Sequence, residues 1–157
     1  MKEHEKAIQH FDRAIAIRRA AMDQDPRDSN MRSMMAGNFS ERAVVLTAAG
    51  RRDEAIRSAR EAVRLQEQSL AADPNGVPVR ISMADYESRL ARAYLAVSES
   101  GNQPHAMQDA ATWFRRALEH WEALGREGHL RGPSIQTELA GLRADLARCE
   151  AALKPAN

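Results

Sequence analysis

The chain has 157 residues, a length typical of one domain, and its 23 Lys and Arg residues nearly balance its 22 Asp and Glu residues. This balance leaves no strongly basic segment of the kind that binds nucleic acid or an anionic membrane. The single cysteine, Cys149, excludes an internal disulfide and a cysteine-rich zinc site. No apolar run approaches the roughly 20 residues of a membrane span, and acidic residues interrupt the N-terminus where a signal peptide needs an apolar stretch. We therefore expect no nucleic-acid partner, no membrane insertion and a cytoplasmic location.

Composition favours helices throughout the chain. Alanine is the commonest residue, with 29 copies, whereas the β-branched residues Val, Ile and Thr together number 15. Apolar residues recur with a helical period in six segments, which predicts helices over 4–22, 29–49, 53–72, 79–98, 105–124 and 134–153. Ser134 is the expected N-cap of the last helix, and Cys149 lies on its apolar face. The prediction is an all-α fold.

Two helix-pair units repeat along the chain. A shift of 48 residues places the Asp25-Pro26 break on the Asp73-Pro74 break and matches the helices on either side. The matched pairs are Ala7 with Ala55, Ile8 with Ile56, Ala14 with Ala62, Arg32 with Arg80, Met35 with Met83, Ala36 with Ala84, Ser40 with Ser88, and Ala43 with Ala91. A third copy, with Ala110, Phe114 and Ala117 at the same spacing, follows a seven-residue insertion. Such small side chains let neighbouring helices approach closely.

We therefore predict one helical domain over 1–157. Its parts are 1–26 as the second helix of a truncated repeat, 27–74 as a full repeat, 75–128 as a repeat with an insertion at 98–109, and 133–154 as a C-terminal capping helix. Because the first helix matches the second helix of the following repeat, we expect the chain to be a piece of a longer array.

The repeats resemble the tetratricopeptide repeat (TPR), whose pattern of small, aromatic and proline positions they follow over 7–124. The residues that carry the resemblance are Phe39, Ala43, Leu46, Gly50, Ala55, Ala59, Ala62 and Pro74 in one repeat, and Leu90, Ala91, Tyr94, Ala110, Phe114 and Ala117 in the next. Two features depart from the family: the period is 48 residues rather than about 34, and Arg42 stands where the family prefers Leu. The resemblance implies an α-α superhelix built from helix hairpins of about 48 residues.

The style of the repeats, with AIAIRRAAMDQDP, AVRLQEQSLAADPN and ALEHWEAL, is similar to the C-terminal TPR region of bacterial serine/threonine protein kinases. The chain contains no Gly-rich loop, HRD or DFG motif, so any kinase activity would belong to another part of the protein. The resemblance implies a non-catalytic scaffold that binds a protein or peptide, as the repeat segment of a bacterial signalling protein.

In this family, ligands usually lie in a concave groove lined by the first helix of each repeat. By position, the resemblance implies that this face carries Ser40, Val44, Thr47, Asp85, Ser88, Arg89 and Arg92. The Lys and Asn clamp that some members use for a peptide carboxylate is not supported, since serine, valine and arginine occupy its positions. Arg92 and Arg89 have two interpretations: a fork for an acidic partner group, or rim ion pairs with Asp85 or Glu87.

No catalytic or metal-binding constellation is predicted, and we expect neither enzyme activity nor a cofactor. No two of the five histidines stand three or four residues apart, so no helix face offers a pair of ligands. His120 is interpreted as a surface or edge residue, and Cys149 as a small buried side chain. Phe114, Leu118 and Trp121 form one helical stripe and are predicted to pack in the core against the last helix.

A structural role is the alternative function. The first helix carries an apolar stripe of Ile8, Phe11 and Ile15. If this stripe is exposed at the end of the array, it predicts self-association as a homodimer, or docking within a longer parent chain.

Overall fold

A computed structural model describes residues 2–99, 105–130 and 132–154. These residues form six α-helices and no strand, which confirms the predicted all-α class. The helices are α1 (Lys2–Gln24), α2 (Ser29–Ala48), α3 (Arg52–Ala72), α4 (Val77–Ser98), α5 (Ala106–Arg126) and α6 (Pro133–Leu153). Each boundary lies within two residues of its predicted position. Part of the predicted insertion at 98–109, residues 100–104, lies outside the described residues.

Local signals in the sequence set several helix ends. Asp28 caps α2, since its carboxylate accepts the Met31 N–H at 2.9 Å. After α2 the chain turns at Gly50, whose φ of 75° is the left-handed conformation that glycine adopts at little cost. The Arg51 N–H then donates to the Leu46 carbonyl at 2.9 Å, which satisfies a carbonyl at the end of the helix. Gly128, with a φ of 79°, terminates α5 in the same way.

The start of α6 differs from its prediction. Gly132 takes the N-cap position and Pro133 the first turn, so Ser134 lies within the helix instead of capping it. The fixed φ and missing N–H of proline suit a first helical turn, which explains the earlier start. At the other end Lys154 is extended, as expected for a residue that precedes proline. Cys149 is buried, as predicted.

Consecutive helices pack against one another as antiparallel neighbours, and α2 also contacts α4 directly. The α1–α2 pair is joined by Arg42 Nε and Asp12 Oδ1 at 2.7 Å. Arg92 on α4 lies 2.7 Å from Glu138 on α6. The helices α2, α4 and α6 therefore form one row of mutually parallel helices, and α1, α3 and α5 lie behind them.

Burial follows the 48-residue shift. The alanines of the small-residue stripe on α3, Ala55, Ala59 and Ala62, are at most 1% exposed. Their counterparts on α5 are equally buried, with Phe114 filling the central place. The matched first-helix pairs are buried in both copies: Met35 and Met83, Ala36 and Ala84, Ser40 and Ser88, and Ala43 and Ala91. The matched pairs on α2 and α4 are thus buried alike, which supports the internal repeat, whereas Ala7 and Ala14 of α1 are half-buried where Ala55 and Ala62 are buried.

The apolar stripe on α1 is not exposed, and that premise of the self-association hypothesis is wrong. Ile8 and Ile15 are 2% and 7% exposed, and Phe11 is half-buried. The physical reason is that α2 packs against α1, so Ile15 joins a cluster that includes Phe39 and Leu65. Burying such side chains contributes about 1.5 to 3 kcal/mol each, which favours this covered arrangement.

Candidate functional site

A groove of about 530 Å³ lies along the row formed by α2, α4 and α6. Its lining comes from all three helices: Glu41, Val44, Thr47 and Ala48 from α2, Asp85, Arg89 and Arg92 from α4, and Glu138 from α6. Spacings of three, four and seven residues place these side chains on one face of each helix. The groove spans every helix of the row.

The α2 side of the groove is apolar. The side chain of Val44 is 45% exposed. Thr47 donates its hydroxyl to the Ala43 carbonyl at 2.9 Å, so the polar end of this side chain is already bonded within α2. With Ala48, these residues provide a surface for an aliphatic group.

The α4 side is charged, and both arginines are held by carboxylates. Arg89 Nη1 lies 2.6 Å from Glu41 Oε1, and Arg89 Nε lies 3.0 Å from Asp85 Oδ2. Arg92 Nη2 lies 2.7 Å from Glu138 Oε1, and its Nε lies 3.9 Å from Asp145 Oδ2. Each guanidinium therefore bridges two carboxylates, and α4 is tied to both of its neighbours in the row.

The local field disfavours further negative charge near Asp85. Burial raises the pKa of the Asp85 carboxyl, Arg89 opposes this rise, and the charges of Glu138 and Glu41 add to it. Burial alone would lower the pKa of Arg89, but its hydrogen bond to Glu41 and the charge of Asp85 outweigh burial and raise it. Arg89 thus stays charged, and the positive charge that it places beside Asp85 does not fully offset the effect of burial on that carboxyl.

The structure brings five of the seven predicted groove residues together: Val44, Thr47, Asp85, Arg89 and Arg92. Ser40 and Ser88 do not line the groove, and this part of the prediction is wrong. Both are buried, at 1% and 0% exposure, because they face the neighbouring helices. Ser88 donates to the Ala84 carbonyl and accepts a hydrogen bond from Trp121 Nε1 at 3.2 Å.

Sequence reasoning missed three lining residues. Glu41 lies three residues before Val44 and Ala48 lies four residues after it, so all three share one helical face. This spacing could have identified Glu41 and Ala48 from the sequence. Glu138 carries no such signal, because the sequence predicts α6 as a capping helix and not as the third helix of the row. The rim ion pair between Arg89 and Asp85 is confirmed, whereas Glu87 does not take part in it.

Glu87 instead lies behind the row, in contact with α5. It is 0% exposed, its Oε2 lies 2.7 Å from His120 Nδ1, and its Oε1 lies 2.9 Å from Arg116 Nη2. The 48-residue shift matches Glu87 to Phe39, and the 55-residue offset between α3 and α5 matches His120 to Leu65. Phe39 and Leu65 are members of one apolar cluster. A polar pair thus replaces an apolar pair at the same place in the second unit.

The aromatic stripe of α5 lies in the core, as predicted. Phe114, Leu118 and Trp121 are buried together with Leu139 and Leu142 of α6. Trp113 is half-buried, and the guanidinium of Arg116 lies 4.5 Å from its ring centroid. These rings stabilise the α5–α6 packing.

Across residues 2–99, 105–130 and 132–154, no group of three or more His, Cys, Asp or Glu side chains could hold a metal ion, and no helix combines the length and apolarity needed to cross a membrane. Comparisons with protein-family models, with curated proteins and with solved structures found no match for this chain.

Proposed function

We propose that the chain is a non-catalytic protein-interaction module of the TPR type, which binds a protein or peptide segment in the groove along α2, α4 and α6. The observation that carries this proposal is the groove itself, whose lining comes from every helix of one row and includes the exposed Val44. Ligand sites are usually concave, with an apolar surface and a few placed polar groups.

Three further observations support the TPR assignment. The repeat of 48 residues is matched by burial in both copies, α2 contacts α4 as a neighbour in one row, and short turns join consecutive antiparallel helices. An array of this kind buries its core between units and leaves one row of first helices facing a partner. We also propose, from the resemblance of the repeats, that the module belongs to a larger bacterial signalling protein related to TPR-bearing serine/threonine kinases.

Selection of phage-displayed random peptides against the chain tests the groove. Selected peptides are labelled with fluorescein, and their affinities are measured by anisotropy for the original chain and for Val44→Trp, which fills the groove without adding charge. Ile17→Trp is the matched control, since Ile17 is also exposed, at 71%, but lies on α1. We expect Val44→Trp to weaken binding at least about tenfold, corresponding to about 1.4 kcal/mol, and the control to leave it unchanged.

Circular dichroism of both variants confirms that the helices are retained. Peptides whose affinity is insensitive to Val44→Trp would show that the binding surface lies elsewhere and would overturn the proposal for this groove.

A further inference from the structure

We infer that the groove selects a cationic protein segment, one that presents a Lys or Arg side chain beside a small aliphatic residue. This inference rests on the proposed function and specifies its partner. It follows from how the charges of the groove are already paired, together with the apolar surface beside them.

The two arginines of the groove are poor receptors for an acidic group. Arg89 contacts Glu41 and Asp85 at 2.6 and 3.0 Å, and Arg92 contacts Glu138 at 2.7 Å and Asp145 at 3.9 Å. An incoming carboxylate would have to displace one of these partners and would then lie beside it. Like charges placed together in this way disfavour the wrong partner.

A cation meets the opposite situation. The lining contains three carboxylates but two guanidinium groups, so negative charge is in excess. The ion pairs with Arg89 and Arg92 use Oε1 of Glu41 and Glu138, whose side chains keep exposed fractions of 53% and 37%. An ammonium or guanidinium group placed between them would compensate this charge, and such charge-assisted hydrogen bonds are the stronger ones.

The apolar side explains why the cation would be carried on a side chain. Val44, Thr47 and Ala48 line the same groove within about two helical turns of Glu41. The methylene stem of Lys or Arg can pack on this surface while its charged end reaches the carboxylates. A second aliphatic residue of the segment would cover the rest of Val44.

Four pools of fluorescein-labelled nonapeptides test the inference. The central residue is fixed as Arg, Lys, Glu or Leu, and the remaining positions are drawn from Ala, Val, Ser and Gly. We expect the Arg and Lys pools to bind about tenfold more tightly than the Glu pool, and their advantage to shrink as the salt concentration rises. Glu138→Gln and Glu41→Gln should each weaken the Arg pool about three- to tenfold.

Glu122→Gln is the matched control, because Glu122 is similarly exposed and paired with Arg143 but lies at the α5–α6 contact, outside the groove lining. It should leave every pool unchanged. Glu or Leu pools that bind as tightly as the Arg pool, while Val44→Trp still blocks them, would overturn the cationic preference and leave the groove in place. Failure of all four pools, or binding that Val44→Trp does not weaken, would overturn the proposed function itself.

Discussion

Glu41 and Arg89 are 48 residues apart in the chain, and their side chains are joined by a hydrogen-bonded ion pair of 2.6 Å. The separation equals the period of the internal repeat, so the two residues occupy equivalent positions on α2 and α4 and carry opposite charges. Because α2 and α4 are parallel neighbours, equivalent positions lie at the same level along the two helices. The ion pair is therefore a contact between units, made on the surface that faces the groove.

The two ends of this ion pair should differ in their effect on stability. Glu41→Gln leaves Arg89 paired with Asp85, and we expect a loss of less than about 1 kcal/mol, as for other surface pairs. Arg89→Leu leaves both Glu41 and the half-buried Asp85 without their cation, and should cost about 1 to 3 kcal/mol. Urea unfolding of the two variants measures the difference. Equal losses would show that Asp85 does not depend on Arg89.

Stability should depend on pH through Asp85. Its pKa in the folded chain is raised above the ordinary value of 3.8, chiefly by burial, so the folded state holds this proton more tightly than the unfolded state. Stability contributed by Asp85 is therefore present below pH 3.8 and is lost as the pH rises through the folded-state pKa. Asp85→Asn should stabilise the fold at pH 7, and the gain should shrink as the pH falls toward 4.

Urea unfolding of Asp85→Asn and of the original chain at both pH values measures this change. Glu54→Gln is a control of opposite sign, because its hydrogen bond to Arg51 lowers the pKa of Glu54. Glu54 contributes stability above its ordinary pKa of 4.5 that is lost as the pH falls, so its replacement should destabilise the fold at pH 7. A gain from Asp85→Asn that grows on acidification would contradict the assigned effect of burial.

The contact between buried Glu87 and half-buried His120 should respond unequally to the loss of either member. His120→Ala leaves the fully buried carboxylate of Glu87 with Arg116 as its remaining partner, and losing one hydrogen-bond partner of a buried group costs about 1 to 3 kcal/mol. Glu87→Gln removes the buried charge and leaves Arg116 and His120, both partly exposed, in contact with water, so we expect a smaller loss.

The double variant with Glu87→Phe and His120→Leu installs the residues found at the equivalent place in the first unit. Replacement of a buried charged contact by packed apolar groups is often neutral or stabilising, and we expect the double variant to be more stable than His120→Ala. Thermal unfolding of the single and double variants measures this. A double variant less stable than His120→Ala would show that the surroundings of the pair are not those of Phe39 and Leu65.

Two glycines inside helices should differ in their response to alanine. A Cβ at Gly141 would meet no heavy atom of a neighbouring described element within 4 Å, so Gly141→Ala should stabilise the fold by about 0.5 to 1 kcal/mol. At Gly37 a Cβ would lie 3.4 Å from Oη of Tyr86 on α4, and the gain should be smaller. Chemical denaturation of both variants provides the comparison. A larger gain at Gly37 would contradict the close contact between α2 and α4.

The helices and their repeat could be predicted from the sequence, because the helical period of the apolar residues and the positions of Gly and Pro are local signals for where a helix runs and ends. It was harder to predict which face of each helix is buried and which is exposed. Ser40 and Val44 stand one helical turn apart, yet the first is buried and the second is exposed, since burial depends on where α4 lies. Similarly, the burial of Ile8 and Ile15 required knowing that α2 packs on α1 as well as on α3.

The polar core pair also constrains the order of the helices. Suppose that α4 packed against α3 in the position that α2 occupies. Glu87 would then lie against Leu65, and its carboxylate would no longer contact His120 or Arg116. A buried carboxylate without a cation carries a penalty of several kcal/mol, whereas Phe39 carries none when its partner is another apolar residue. We therefore expect Glu87 to disfavour arrangements in which the two units exchange places, which would make one glutamate a determinant of helix order.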